Sequence, residues 1–334
     1  LKLTASLRYD KSELFDGFFS PRVALGYTAG ENKNHNIRGS FQTGFRNPTT
    51  QDLYIGLDVG RAILIGGAKD NPPRYVDTYN VSQSGQDNLG QPATVTKDGT
   101  GAYENSYFAS SVKSFAASKD PTDLRIANSN FAQPEQVSSF EVGYRGKLYN
   151  RLIVDFSTYY NMYKDFLSNE SVISPYYGQV GDNSLSVAAI ANSDYKVYQT
   201  YTNSDVNVNS YGAAVAFSSK VFGNYDAEIN YTYAKMDFDQ AAYPDFKTYF
   251  NTPEHKVKAS FGNTNVFKNF GFNVAWRWSD SYLWESTFGD GDVPAVNVVD
   301  AQINYTVPKI KSNFKLGVAN LMGHEYTTAF GTGY

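Results

Sequence analysis

The residues best suited to chemistry are few. His35, His255 and His324 are the histidines, and none has a second histidine at ligand spacing. A zinc or haem site therefore finds no donor set, and solvated or hydrogen-bonded imidazoles account for all three. Gly289-Asp290-Gly291-Asp292 offers oxygens for calcium but lacks the acidic ladder of a calcium loop, so a plain turn is the simpler reading. Asp226 and Glu228 lie two apart, which on a strand puts both carboxylates on one face, as an acid–base pair would need. Lysines and arginines on the same face of other strands make a charge network the better account. The chain has no cysteine, which removes disulfides, thiolate ligands and thiol nucleophiles and fits an oxidising envelope. No nucleophile elbow, phosphate-cradling loop or dinucleotide fingerprint occurs. The sequence predicts no catalytic residue, no metal site and no cofactor.

The stretch that carries Asp226 and Glu228 explains what they do instead. In Tyr225–Lys235, Tyr225, Ala227, Ile229, Tyr231 and Tyr233 alternate with Asp226, Glu228, Asn230, Thr232 and Ala234. Side chains alternate across a strand, so one face is aromatic and aliphatic and the other polar. The same pattern recurs in segments 1–9, 22–28, 36–46, 140–147, 152–163, 208–218, 256–261, 272–279, 299–307 and 314–321. With 225–235 these make eleven segments, and the pattern predicts no charge on any apolar face. A lysine or arginine at the lipid midplane costs about 2–4 kcal/mol, which gives a reason for such exclusion. A soluble sandwich also alternates, but it could not bury the opposite face, with Arg38, Gln42, Arg46, Asp226 and Glu228, as a dry core.

Composition agrees. Of 334 residues, 27 are Tyr and 23 are Phe, so much of the apolar content is amphipathic ring. No run approaches the roughly eighteen apolar residues of a spanning helix. The other structure that crosses a bilayer is the closed β-barrel with aromatic girdles. The net charge of −4 argues against a nucleic-acid partner. No linker or composition shift divides the chain, and no leader is expected at its start. Leu1 already lies in an alternating segment, so the chain is expected to start in mid-barrel.

The connections sort by parity. Those near 10–21, 46–135, 164–207, 236–255 and 280–298 are long or irregular, and those at 29–35, 148–151, 219–224, 262–271 and 308–313 are short. Antiparallel strands put the two sets at opposite ends, with short turns at the periplasmic rim and long loops outside. Eleven such strands leave the first and last parallel, so at least one more is expected, beyond Gly331–Tyr334. The loops are rich in Gly, Asn, Asp, Ser and Tyr, and the apolar stretch Tyr54–Ala68 is expected to fold over the barrel mouth. Tyr54, Tyr176, Tyr177 and Trp284 are candidates for ligand contact, since exposed aromatics among small polar residues make recognition surfaces. Self-packing of the loops is the rival account of each.

Several stretches resemble the C-terminal half of TonB-dependent outer-membrane receptors. SPRVALGY (20–27) is similar to that family's SPR…Y strand, and IRGSFQTGFRNPTTQDLY (37–54) to its GTGFR-x-PT…ELY segment. QPEQVSSFEVGYRG and YYNMYKDFL (within 133–167), TPEHKVKASFG (252–262) and GVANLMGHEY (317–326) resemble further family strands, in the family's order. Gln133 stands where the family usually has Leu-Lys before Pro-Glu, and the terminal aromatic strand is absent. Loop content looks most like receptors of Bacteroidota. The motif of SusC-type glycan importers does not appear, so a surface lipoprotein partner is open but not favoured.

The resemblance implies an all-β transmembrane antiparallel barrel of 22 strands, of which 1–334 supplies the C-terminal part. The plug domain, first strands and final strand would lie outside this sequence. It implies an outer-membrane receptor, in contact with lipid, that takes up a scarce ligand (iron chelate, vitamin, glycan or peptide) with energy from the TonB complex acting on the plug. Arg38, Gln42, Arg46, Asp226 and Glu228 are expected to touch the lumen or plug. The alternatives are a receptor-like barrel serving as a structural or interaction component of a larger outer-membrane complex, and a passive porin-like channel; an outer-membrane enzyme is not expected.

Overall fold

A computed structural model describes residues 1–127, 129–182, 184–287 and 289–330. The expected terminal loop at Gly331–Tyr334 lies outside the described residues. All eleven alternating segments form strands: β1 (Lys2–Asp10), β2 (Phe18–Ala29), β3 (His35–Arg46), β4 (Glu135–Leu148), β5 (Leu152–Lys164), β6 (Val208–Val221), β7 (Tyr225–Asp237), β8 (His255–Phe267), β9 (Phe270–Ser279), β10 (Val296–Val307) and β11 (Ser312–Val318). They join in one sheet in sequence order, antiparallel throughout, the wall. The wall is not closed: β1 and β11 run in the same direction and each pairs on one side alone.

The faces follow the two-residue period. Leu3, Leu7, Val23, Leu25, Ile37, Phe140, Phe156, Ile229, Trp276, Ile303 and Leu316 are all exposed on the outer face. Their rings meet across strands, as in Phe41–Phe140 at 4.8 Å and Tyr225–Phe261 at 5.2 Å between centroids. A contiguous apolar surface of this extent is stable against lipid and not against water. One expectation is corrected. Lys235, at the long-loop end of β7, shares the parity of Tyr233 and stands on the outer face, 3.4 Å from Glu254. At the rim a lysine stem covers apolar surface while its ammonium stays in water, so the midplane penalty does not apply.

The parity of connections holds. The short end includes two-residue turns such as Lys268-Asn269, with φ of 39° and 71°, tighter than the expected 262–271 because β8 and β9 run on to Phe267 and from Phe270. Positive φ at both positions matches the twist of a hairpin, and asparagine tolerates it. No described helix is long and apolar enough to span a membrane.

The long end holds the buried core. The excursions 47–134 and 165–207 are not loose loops. They build a second sheet, the cap, in which segment 195–203 pairs antiparallel with 167–175 and parallel with 63–65. Residues 56–58, 106–108, 126–127 and 246–247 extend or flank it. Ile63 and Ile65, from the apolar stretch expected over the mouth, pack with Tyr103, Val172 and Tyr198. Helix Ala109–Ser118 and helix Leu185–Ala191 bury Val112, Phe115 and Ile190 against Tyr107 and Ile173. Among the described residues the wall holds no such cluster, because one face meets lipid and the other the lumen; the cap has water around it and needs a core.

Candidate functional site

Three places concentrate polar side chains. The first is the lumen face of the wall. Near the short-turn end, Asp226 and Glu228 of β7 border a trough of about 680 Å³ with Lys147, Lys220, Asn273 and Gln302. Lys220 lies directly across the ladder from Asp226 and reaches it at 2.8 Å, while Asn230 donates to Glu228 at 2.8 Å. Further up, Arg145 faces Asp155 at 3.6 Å and Arg277 faces Asp300 at 3.0 Å. This is the charge network expected in place of a catalytic pair. Arg38 and Gln42 project from one face of β3, and Arg38 borders a second hollow with Arg22 and Glu141. Arg38 lies against Gly143 of β4, where a Cβ would come within 2.5 Å of its Nε.

Arg46 ends β3 at the long-loop rim. It stands where the chain leaves β3 for the cap, and binds Glu135 at 3.1 Å where the chain returns as β4. Its Nη2 also donates to the Leu167 carbonyl at 2.9 Å, where the chain leaves again after β5, and the Leu167 N–H donates to Glu135 at 3.0 Å. One guanidinium thus joins three points distant in sequence. Asp52, 3.8 Å away, adds a second carboxylate from the short helix Thr50–Tyr54. These contacts clasp cap to wall.

The second place is a cavity of about 260 Å³ in the cap, bordered by Tyr79, Lys97, Glu104, Tyr176, Gln179 and Lys196 among others. Tyr79 comes from a short hairpin, 77–80 with 94–97, inside the first excursion; Tyr176 follows the cap strand 167–175. The two rings stack at 4.8 Å and 10°. Lys196 Nζ sits 5.9 Å over the Tyr79 ring and pairs with Asp58 at 3.1 Å. The Gly60 N–H and then Lys196 hold the Asp58 carboxyl below the usual range. Burial pushes the Tyr176 hydroxyl up to about 12, so it stays a neutral donor. Of the four aromatic candidates read from the sequence, Tyr176 alone borders this cavity. Tyr177 is not exposed as expected: it is buried, and its hydroxyl donates to Asp194 at 2.8 Å. The Tyr54 ring is covered by the Arg74 guanidinium at 5.5 Å. Trp284 stands apart on a ribbon, 282–284 with 291–293, near Tyr282.

The third place is where loops 238–254 and 280–295 lock together. Glu285 is buried and accepts from the Tyr249 N–H at 2.7 Å and Thr248 Oγ1 at 3.1 Å. Lys247 bridges to Asp290 at 2.7 Å, so the aspartate read as a calcium candidate answers a lysine. Asp245 caps helix Ala109–Ser118 through the Ser110 N–H at 2.7 Å, and Tyr249 donates to Asn169 at 2.9 Å, tying loop 238–254 to the cap. His35 and His255 meet tyrosine hydroxyls of Tyr144 and Tyr231, each at 2.8 Å. No cluster of three or more metal-ligating side chains occurs among the described residues.

The model of the TonB-dependent receptor-like β-barrel family matches residues 1–321. The chain belongs to the TonB-dependent receptor β-barrel family. No curated protein sequence matches it. Among solved structures, the siderophore receptor PirA from Acinetobacter baumannii aligns at 12% identity with a TM-score of 0.54, over 96% of this chain and 39% of that one. A variant of the ferric enterobactin receptor PfeA from Pseudomonas aeruginosa aligns at 13% identity and 0.54, over 96% and 37%. The iron transporter FrpB from Neisseria meningitidis aligns at 12% and 0.51, over 93% and 35%. At such identities the likeness is one of fold. The chain spans about two fifths of the length of PirA. Membership puts the wall in the bacterial outer membrane and the long connections on its outer side, in a family of receptors and not of enzymes.

Proposed function

We propose that this chain is the C-terminal barrel part of an outer-membrane receptor that captures a scarce ligand at its cap and passes it inward in a TonB-energised step. The observation that carries the reading is the family match across 1–321 on a wall with an apolar outer face and a polar lumen. The plug, the first strands and the final strand lie outside this sequence in this reading, which the 39% share of PirA supports. Asp226, Glu228, Arg38 and Gln42 meet the plug, and Arg46 holds the cap to the wall. Tyr176 is the aromatic that touches ligand, while Tyr54, Tyr177 and Trp284 shape the cap and loops around it. A surface lipoprotein over the cap is not needed for this scheme.

Uptake measured in the native cell, with and without TonB, tests it. Deleting the receptor gene abolishes uptake of its ligand, and removing TonB does the same while surface binding persists. Uptake that survives loss of TonB overturns the scheme in favour of a passive channel. Asp226→Ala is expected to change transport and leave surface binding intact.

A further inference from the structure

We propose that the cap cavity takes a zwitterionic ligand, an amino acid or short peptide, with Lys97 on its carboxylate, Glu104 on its ammonium and its side chain against the Tyr79–Tyr176 stack. The inference rests on the receptor reading above. Its basis is the cavity's free valences. Lys97 and Glu104 are exposed on the border and have no partner among the described residues, while Lys196 is already neutralised by Asp58. Two free charges of opposite sign gain most from a ligand carrying both complements. A polyanionic chelate meets a border where Lys97 and Lys196 are matched by Asp98 and Glu104, with Asp58 adding another negative charge. A neutral sugar leaves both free charges to water. Size points the same way: 260 Å³ lies below the roughly 300–1,000 Å³ that takes drug-sized ligands, so the occupant is small. The Tyr176 hydroxyl and the Gln179 amide, without side-chain partners among the described residues, suit the carbonyls and N–H groups of a peptide.

The test uses the full-length receptor in outer-membrane vesicles, with trialanine, maltotriose and a ferric tris-catecholate as probes. Trialanine is expected to bind, and either amidating its carboxylate or acetylating its amine to weaken it roughly fivefold, as one exposed ion pair would. Lys97→Gln removes the penalty of amidation alone, and Glu104→Gln that of acetylation alone. Equal binding of free and blocked peptides overturns the proposal, as does a penalty unchanged by its matching variant. Binding of maltotriose or the catecholate without trialanine, together with their TonB-dependent uptake by whole cells, refutes the ligand class and leaves the receptor intact. TonB-independent entry of every probe into whole cells refutes the receptor reading itself.

Discussion

At the scale of single residues, Glu170 and Arg46 make the sharpest predictions. Glu170 lies on the cap strand 167–175, where burial raises its carboxyl from 4.5 to about 7, against the donation from Ser129 at 2.9 Å. A carboxyl whose pKa is raised on folding favours the folded state while protonated. Cap stability should therefore fall as pH rises from near 4.5 through about 7, then level off. Glu170→Gln should remove that slope, read by amide exchange in cap strands across the same range; an unchanged slope assigns it elsewhere. Arg46→Met leaves Glu135 with the Leu167 N–H alone. Because Arg46 is half-exposed, a loss of about 1–3 kcal/mol in cap stability is expected. Protease nicking within 47–134 measures it.

At the scale of elements, the cap and the wall should fail separately. Ile65 is fully buried at the centre of the cap core. Ile65→Ala is expected to cost about 2–5 kcal/mol there. Ligand capture should drop while the wall still migrates as a folded barrel on unheated gels. Loss of the barrel band would mean that the cap is needed for the wall to assemble. The wall strands were legible because their signal is local: a two-residue period over seven to fourteen residues, with turns of Asn and Gly between. The cap strands were not. Several span two to four residues, too short to show a period, and 63–65 pairs in parallel with 198–200, more than a hundred positions away.

For the whole molecule, the two faces of one strand predict opposite responses. Ile229 sits midway along β7 on the lipid face, and Thr232 one face over in the lumen. Ile229→Lys is expected to cost about 2–4 kcal/mol and to slow membrane insertion, whereas Thr232→Lys should be close to neutral. Folding into lipid vesicles under urea measures both, and equal penalties would contradict the sidedness of the wall. The ladder already accommodates a lysine on the outer face at Lys235, where the rim lets its ammonium reach water and Glu254.

The candidate site was read only in part. Asp226, Glu228, Arg38 and Gln42 could be placed on the lumen face because parity along one strand decides facing, whatever the strand's neighbours. Tyr176 was picked for its type, but so were Tyr54 and Tyr177, whose rings turn out to be covered or buried. Tyr79, Lys97, Glu104 and Lys196 were missed, though the alternating DTYN and TVTK around a polar turn hinted at the hairpin that carries Tyr79 and Lys97. The chain by itself determined the wall, its two faces and the end that carries its long connections. Only the tertiary structure decided that the long connections fold into a cap with a core, that Arg46 clasps it, and that a cavity bordered by both signs of charge opens within it. The physical reason is distance: lipid and water sort a strand's side chains one residue at a time, whereas Tyr79 and Tyr176 become neighbours only after nearly a hundred intervening residues have packed.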